Sequence, residues 1–176
     1  IKNVFYLTIL GLSFSLYLSL TFDQFDIYAF NRLIVNTHFS QFFKILVLVG
    51  SIIVCFISYN YLDSLGILKP EYFFLILLSC LGILIMISSS SLLSMYIGLE
   101  LHSICLYILA AYRKDYLKSA ESGVKYFILG ALSSGILLYG LSLIYAVTNA
   151  TDFIEISQKL KDASYVSNNI LIISTG

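Results

Sequence analysis

YFFLILLSCLGILIMISSSSLLSMYIGLELHSICLYILAAY, residues 72–112, is almost continuously apolar. A spanning helix needs about 20 mostly apolar residues to cross about 30 Å of hydrocarbon, and this stretch is twice that length. Ser88-Ser89-Ser90-Ser91 divides it. Serine favours turns over helix interiors, so the stretch predicts two helices, about 71–88 and 91–112. Outward from it lie three more runs of spanning length. One covers about 4–22 and holds no charge, one covers about 41–61 from Gln41-Phe42-Phe43-Lys44 to Asn60-Tyr61, and one covers about 123–147. A partial span starts at 169 and stops at Thr175-Gly176. Open sheets have no place in hydrocarbon, and these runs are too long and too unalternating for barrel strands. The expected fold class is all-α integral membrane: five transmembrane helices plus the start of a sixth, in a single membrane domain over 1–176.

The composition agrees. Of 176 residues, 59% are hydrophobic and 11% charged, with a mean hydropathy of +0.92. Ordinary soluble domains are roughly a quarter charged. Ten basic against ten acidic residues give no net charge, which removes the footprint of a nucleic-acid binder. Cys55, Cys80 and Cys105 lie deep in apolar runs without a C-x-x-C spacing, so a disulfide framework, a zinc site and an iron–sulfur cluster are not expected. His38 sits in a polar stretch and His102 in mid-run, an arrangement unsuited to intramembrane haem ligation. The first run exceeds a signal-peptide core, lacks a small-x-small cleavage site and is followed by further spans.

The connectors differ in character. Residues 23–40 read as a polar loop, and 62–70 carry Asp63, Lys69 and Pro70, the one proline, placed to open a helix. In the last connector Phe153, Ile156 and Leu160 recur at helical spacing, predicting an interfacial helix over about 152–163. Lys2, Lys69, Arg113, Lys114, Lys118 and Lys125 fall on the N-terminal side of the bundle, against Arg32, Lys44, Lys159 and Lys161 opposite. The positive-inside rule then sets the N-terminus on the cytoplasmic or matrix side.

One charge stands out. Glu100 lies nine residues from Ser91 and twelve from Tyr112, near the bilayer midplane, where a short side chain reaches neither surface. An unpaired carboxylate there is costly, so it must be protonated, paired with a cation or hydrated internally. Burial raises its pKa and an approaching lysine lowers it, so it can take and release a proton as the cation moves. The alternative is a structural, protonated carboxyl bonded to a neighbouring helix. His102 is two residues on and points away from the Glu100 side, which favours a hydrogen-bonded packing role over a relay. Lys44 and Lys125 each lie about a turn inside their spans and read first as interface anchors, Lys125 being the better relay candidate of the two. Tyr96 and Tyr107 share the Glu100 face at i−4 and i+7. Small residues recur at Gly130/Ser134, Ala131/Gly135 and Gly11/Ser15/Ser19, a helix-packing signal without chemistry of its own.

The stretches YIGLELHSICLYILAAYRK (96–114) and SAESGVKYFILGALSSGILLYGLSLIY (119–145) closely resemble subunit 2, or subunit N, of respiratory complex I, NADH:ubiquinone oxidoreductase. The resemblance covers about 71–160 well and 1–70 weakly. The Gly-Leu-Glu-Leu glutamate is shared with the other antiporter-like subunits and with cation/proton antiporters. The run from Glu121 to Gly135 favours subunit 2. The resemblance implies that Glu100 is the mid-membrane glutamate of the fifth helix of an antiporter-like bundle, paired in the family with a lysine on the seventh. It places Lys125 on the lysine of a sixth-helix motif and makes spans one to five the family's helices two to six.

Full-length relatives have many more spans, and the sequence stops before the partner lysine and the later lysines. This implies either a split gene, with a companion chain supplying the remaining antiporter-like helices, or a shortened scaffold subunit. Abundant Phe, Tyr, Ile and Asn with one Pro and no Trp suit an AT-rich mitochondrial genome, and Ile1 suits a non-standard start or a trimmed terminus. The expected protein is thus a membrane-arm subunit of the mitochondrial inner membrane, N-terminus on the matrix side, translocating protons through Glu100 with His102 and Lys125 as secondary candidates. Its expected partners are the other membrane-arm subunits and lipid. No cofactor or metal is expected in it; NADH, flavin, iron–sulfur clusters and ubiquinone belong to other subunits. The alternatives are a component of a multi-subunit cation/proton antiporter and a complex I scaffold without a proton role.

Overall fold

The computed structural model describes residues 2–21, 27–113 and 115–161. Among these residues, five helices are long and apolar enough to cross a membrane. They are α1 (Lys2–Thr21), α2 (His38–Ser64), α3 (Pro70–Ser88), α4 (Leu92–Ala110) and α5 (Leu117–Thr148); the short α6 (Phe153–Lys161) follows. Each long helix packs on the next and α1 also reaches α3. The expected partial span from 169 lies outside the described residues.

Local chemistry sets the ends of these helices. The α2 helix starts three residues before the expected span because Thr37 and Ser40 form a capping box: Ser40 N donates to Thr37 Oγ1 at 3.1 Å and Thr37 N to Ser40 Oγ at 2.9 Å. Pro70 occupies the first turn of α3, where its missing N–H has no cost. Asn149 ends α5 in the left-handed conformation, its N–H bonded to Tyr145 O at 2.7 Å. At ~1.5 Å per residue α5 is about 48 Å long, so its polar first turns (Lys118, Ser119, Glu121, Ser122) extend beyond the hydrocarbon.

The connector expected as a polar loop holds a β-hairpin. Strand β1 (Ile27–Ala29) pairs antiparallel with β2 (Ile34–Asn36), Tyr28 opposite Val35. Its turn places Phe30, Asn31 and Arg32 at φ 51°, 55° and 67°, a left-handed run without glycine.

The four-serine divider does more than break the helix. Ser88 Oγ bonds back to Leu84 O at 2.8 Å, and Ser91 caps α4 through Ser94 N at 3.2 Å. Between them, Ser90 N donates to Leu33 O at 3.1 Å, joining the hairpin. On the other side Leu92 N donates to Thr151 O at 2.8 Å and Phe153 N to Ser90 O at 3.0 Å, joining the α5–α6 connection. The α3–α4 turn is therefore clasped from both sides at one end of the bundle.

The main core fills the space between α1, α2 and α3, with Phe5, Leu12, Leu48, Cys55, Phe73, Ile76 and Cys80 buried together. Phe5 meets Phe73 edge-on, ring centroids 5.4 Å apart. A smaller cluster of Leu92, Ala150 and Ile156 seats α6 on the end of α4. Large apolar side chains on α1, α2 and α5 face outward, as lipid-facing surfaces require. The α5 apolar stretch holds no buried residue.

Candidate proton-transfer site

Glu100 stands in the middle of α4, about 12 Å along the axis from Leu92 and about 15 Å from Ala110 at ~1.5 Å per residue. Its Oε1 is buried and, among the described residues, has no hydrogen-bond partner. A buried carboxyl oxygen in that state carries a desolvation cost that a bond to water or to a further polar group offsets.

Tyr96 lies one turn away on the same face of α4 as Glu100, and α5 packs beside α4. Ser134 belongs to a cleft of about 430 Å³ between α4 and α5, whose polar lining is Ser103, Ser133, Ser134, Tyr107 and Tyr126. Tyr107 lines the cleft. Its ring meets Tyr126 edge-on at 5.0 Å and Phe127 at 5.7 Å, and its hydroxyl lies where a Cβ on Gly130 would stand. A side chain at 130 would have to displace the Tyr107 ring.

His102 faces the other way. Its Nδ1 is 2.7 Å from Ser79 Oγ on α3, as a packing histidine would be. Beside that pair the two helices touch backbone to backbone: a Cβ on Gly82 would stand 2.7 Å from His102 N and 2.8 Å from Gly98 O. Lys125 is exposed and ion-paired with Glu121 one turn earlier at 2.5 Å. It lies about 13 Å along α5 from Ser134 at ~1.5 Å per residue, so the structure does not bring it to Glu100. Lys44 Nζ donates to Asn36 Oδ1 at 2.9 Å, tying the start of α2 to the hairpin.

Sequence reading missed the cleft. The 130–135 run registers as a packing stripe, yet Gly130, Ser133 and Ser134 line a cavity, and Gly135 and Gly11 have no described atom within 4 Å of where a Cβ would stand. The close glycine contact belongs to Gly82 and Gly98, spaced too far apart in sequence for a single-helix stripe to register. No group of three or more His, Cys, Asp or Glu suited to a metal ion occurs among the described residues.

Apolar helices of spanning length, with one acidic side chain at the centre of the fourth, define a multi-pass membrane protein carrying an intramembrane carboxyl. Residues 89–176 match the family described as NADH:quinone oxidoreductase/Mrp antiporter, TM. The chain belongs to that family. It is 44% identical over 160 residues to NADH-quinone oxidoreductase subunit N of Bartonella bacilliformis, covering 88% of this chain and 33% of that protein. To the subunit of the same name from Pelagibacter ubique it is 48% identical over 143 residues, covering 81% and 30%. Among solved structures it is similar to a chain of respiratory complex I from Thermus thermophilus with bound aureothin, with a TM-score of 0.71, 30% identity and coverage of 86% and 33%. A chain of the membrane-bound sulfane sulfur reductase, an archaeal respiratory membrane complex, superposes with the same TM-score at 23% identity, a likeness of fold. The chain spans about a third of the length of the curated relatives it matches.

Proposed function

We propose that the chain works in the membrane arm of a proton-translocating NADH:quinone oxidoreductase, as part of an antiporter-like subunit, and that Glu100 is its mid-membrane proton carrier. The observation that carries this reading is the buried Glu100 Oε1 at the centre of α4, which has no hydrogen-bond partner among the described residues, within a chain of this family. In this reading a partner lysine on a further helix approaches and leaves Glu100, and a proton passes to and from the carboxyl as it moves. That helix lies beyond those described, in a companion chain or in more of the same polypeptide, and the unburied apolar flank of α5 is the surface open to it.

The chain itself holds no redox group in this reading; NADH oxidation and quinone reduction take place in other subunits. His102 is assigned to α3–α4 packing and Lys125 to a surface ion pair, on the partners each has. The bulky, AT-biased composition supports a mitochondrial form, set in the inner membrane with its N-terminus on the matrix side. Isolation of the native assembly through a tag on this chain tests the assignment. Co-isolation of NADH:quinone oxidoreductase activity is expected. Recovery of an assembly without that activity, but with cation-driven proton exchange, would place the chain in an antiporter instead.

A further inference from the structure

A second cavity, of about 760 Å³, lies between α3, α4 and α5 at the N-terminal side of the bundle. Phe74, Leu75, Ile108, Val124 and Phe127 form its apolar wall, and Lys69, Glu71 and Tyr112 stand at its mouth. From Lys69 to Leu75 on α3, and from Ala120 to Phe127 on α5, it runs about 9–10 Å inward at ~1.5 Å per residue. That depth stays within one leaflet, about half of the ~30 Å of hydrocarbon. An occupant therefore enters from the N-terminal face and ends short of the midplane, as a lipid chain does and a spanning helix does not. The groove has a built shape: Gly123 lies directly against Ala111, and Ser119 Oγ donates to Ala110 O at 3.1 Å, which locks the end of α4 to the start of α5. At the mouth Lys69 and Glu71 flank Pro70, both exposed, and neither has an ion-pair partner among the described residues. The Tyr112 hydroxyl donates to Lys69 O at 3.5 Å and its ring meets Tyr72 at 5.2 Å, which sets an aromatic side chain at headgroup level.

We propose that this cavity binds one phospholipid with a zwitterionic, primary-amine headgroup, an acyl chain lying in the apolar groove and the headgroup set across Lys69 and Glu71. The Lys69 ammonium meets the phosphate, and the Glu71 carboxylate accepts from the headgroup ammonium. The two side chains thus present one charge of each sign to a headgroup that carries one of each. An anionic lipid without an amine would leave Glu71 facing a phosphate. A quaternary choline has no N–H to give it. Below the headgroup the chain covers Phe74 and Phe127, which are 63% and 55% exposed in the groove wall. The site is separate from Glu100 and does not depend on the role of that residue.

The site is tested by photo-cross-linking of the native assembly in phosphatidylcholine vesicles that contain a phosphatidylethanolamine with a diazirine in one acyl chain. Peptides carrying the cross-linked lipid are mapped by mass spectrometry. The expected result is several-fold more cross-linking within 107–112 and 120–127 than around Leu7 of α1 and Ile57 of α2, which are exposed at similar depth. Unlabelled phosphatidylethanolamine should displace the label, and the same amount of added phosphatidylcholine should not. Lys69→Gln combined with Glu71→Gln should lower the cross-linking several-fold. Cross-linking no greater than around Leu7 and Ile57 would mean bulk lipid only and overturn the site. Its absence from both segments would mean that a further polypeptide fills the groove, and equal displacement by phosphatidylcholine would remove the headgroup recognition; each overturns the proposal. Should the double variant fail to assemble, the displacement experiment on the parent assembly decides.

Discussion

Gly82 and Gly98 hold α3 and α4 backbone to backbone: a Cβ on Gly98 would stand 2.7 Å from Met86 N and 2.8 Å from Gly82 O. That contact fixes the rotation of α4. It sets His102 against Ser79 of α3, with Glu100 on another face of α4. Gly98→Ala is expected to cost about 1–3 kcal/mol, because backbone has to move to admit the methyl group. Gly11→Ala, with no described atom within 4 Å, is the contrasting case and should stabilise by about 0.5–1 kcal/mol through helix propensity. Thermal unfolding of the isolated assembly measures both.

The Ser79–His102 pair makes a separate forecast. His102→Gln keeps a hydrogen-bonding group opposite Ser79 and should leave protons moved per electron unchanged. Ser79→Ala removes the partner and should lower stability by about 0.6 kcal/mol, the usual size of an interhelical bond in a membrane. A change in the proton ratio with His102→Gln would return His102 to the relay.

The clasped α3–α4 turn is open to the same kind of test. Ser94 Oγ donates to Leu33 O at 3.0 Å, one of the bonds that hold the hairpin to the bundle. Ser94→Ala should cost about 1 kcal/mol and raise the rate of proteolysis within 27–36. Ser91→Ala, which removes the α4 cap, should cost about 0.5–2 kcal/mol. Equal protease resistance in parent and Ser94→Ala would show that the hairpin is held by other contacts.

For the exposed Lys125–Glu121 pair a small effect is expected. Glu121→Gln should change stability by less than about 1 kcal/mol, with the difference shrinking further in high salt. A larger, salt-independent loss would mean that the pair is buried against a further subunit.

Much of this architecture is legible in sequence because lipid imposes simple rules. Long apolar runs had to become helices, Ser88–Ser91 had to interrupt one of them, and a carboxylate in mid-run had to be exceptional. The orientation of His102 followed from its two-residue offset from Glu100 and is seen in its bond to Ser79. The hairpin was not legible. Its strands are three residues each, and its turn lacks the glycine or Asn-Gly that marks such turns. Nor was the cleft, which depends on Tyr107 of α4 meeting Gly130 of α5, a pairing between helices that neither periodicity encodes. The ion pair of Lys125 was readable at i,i+4 from Glu121, since that spacing alone brings the two charges together.

The central claim concerns one oxygen-bearing side chain, and Glu100→Gln changes it with little change in shape. The direct measurement is the number of protons moved per electron pair by the assembled complex in sealed vesicles, with NADH oxidation followed at the same time. The account predicts an intact, assembled complex with a reduced proton ratio. An assembled complex with the parent ratio would contradict it, and would leave Glu100 a protonated packing group.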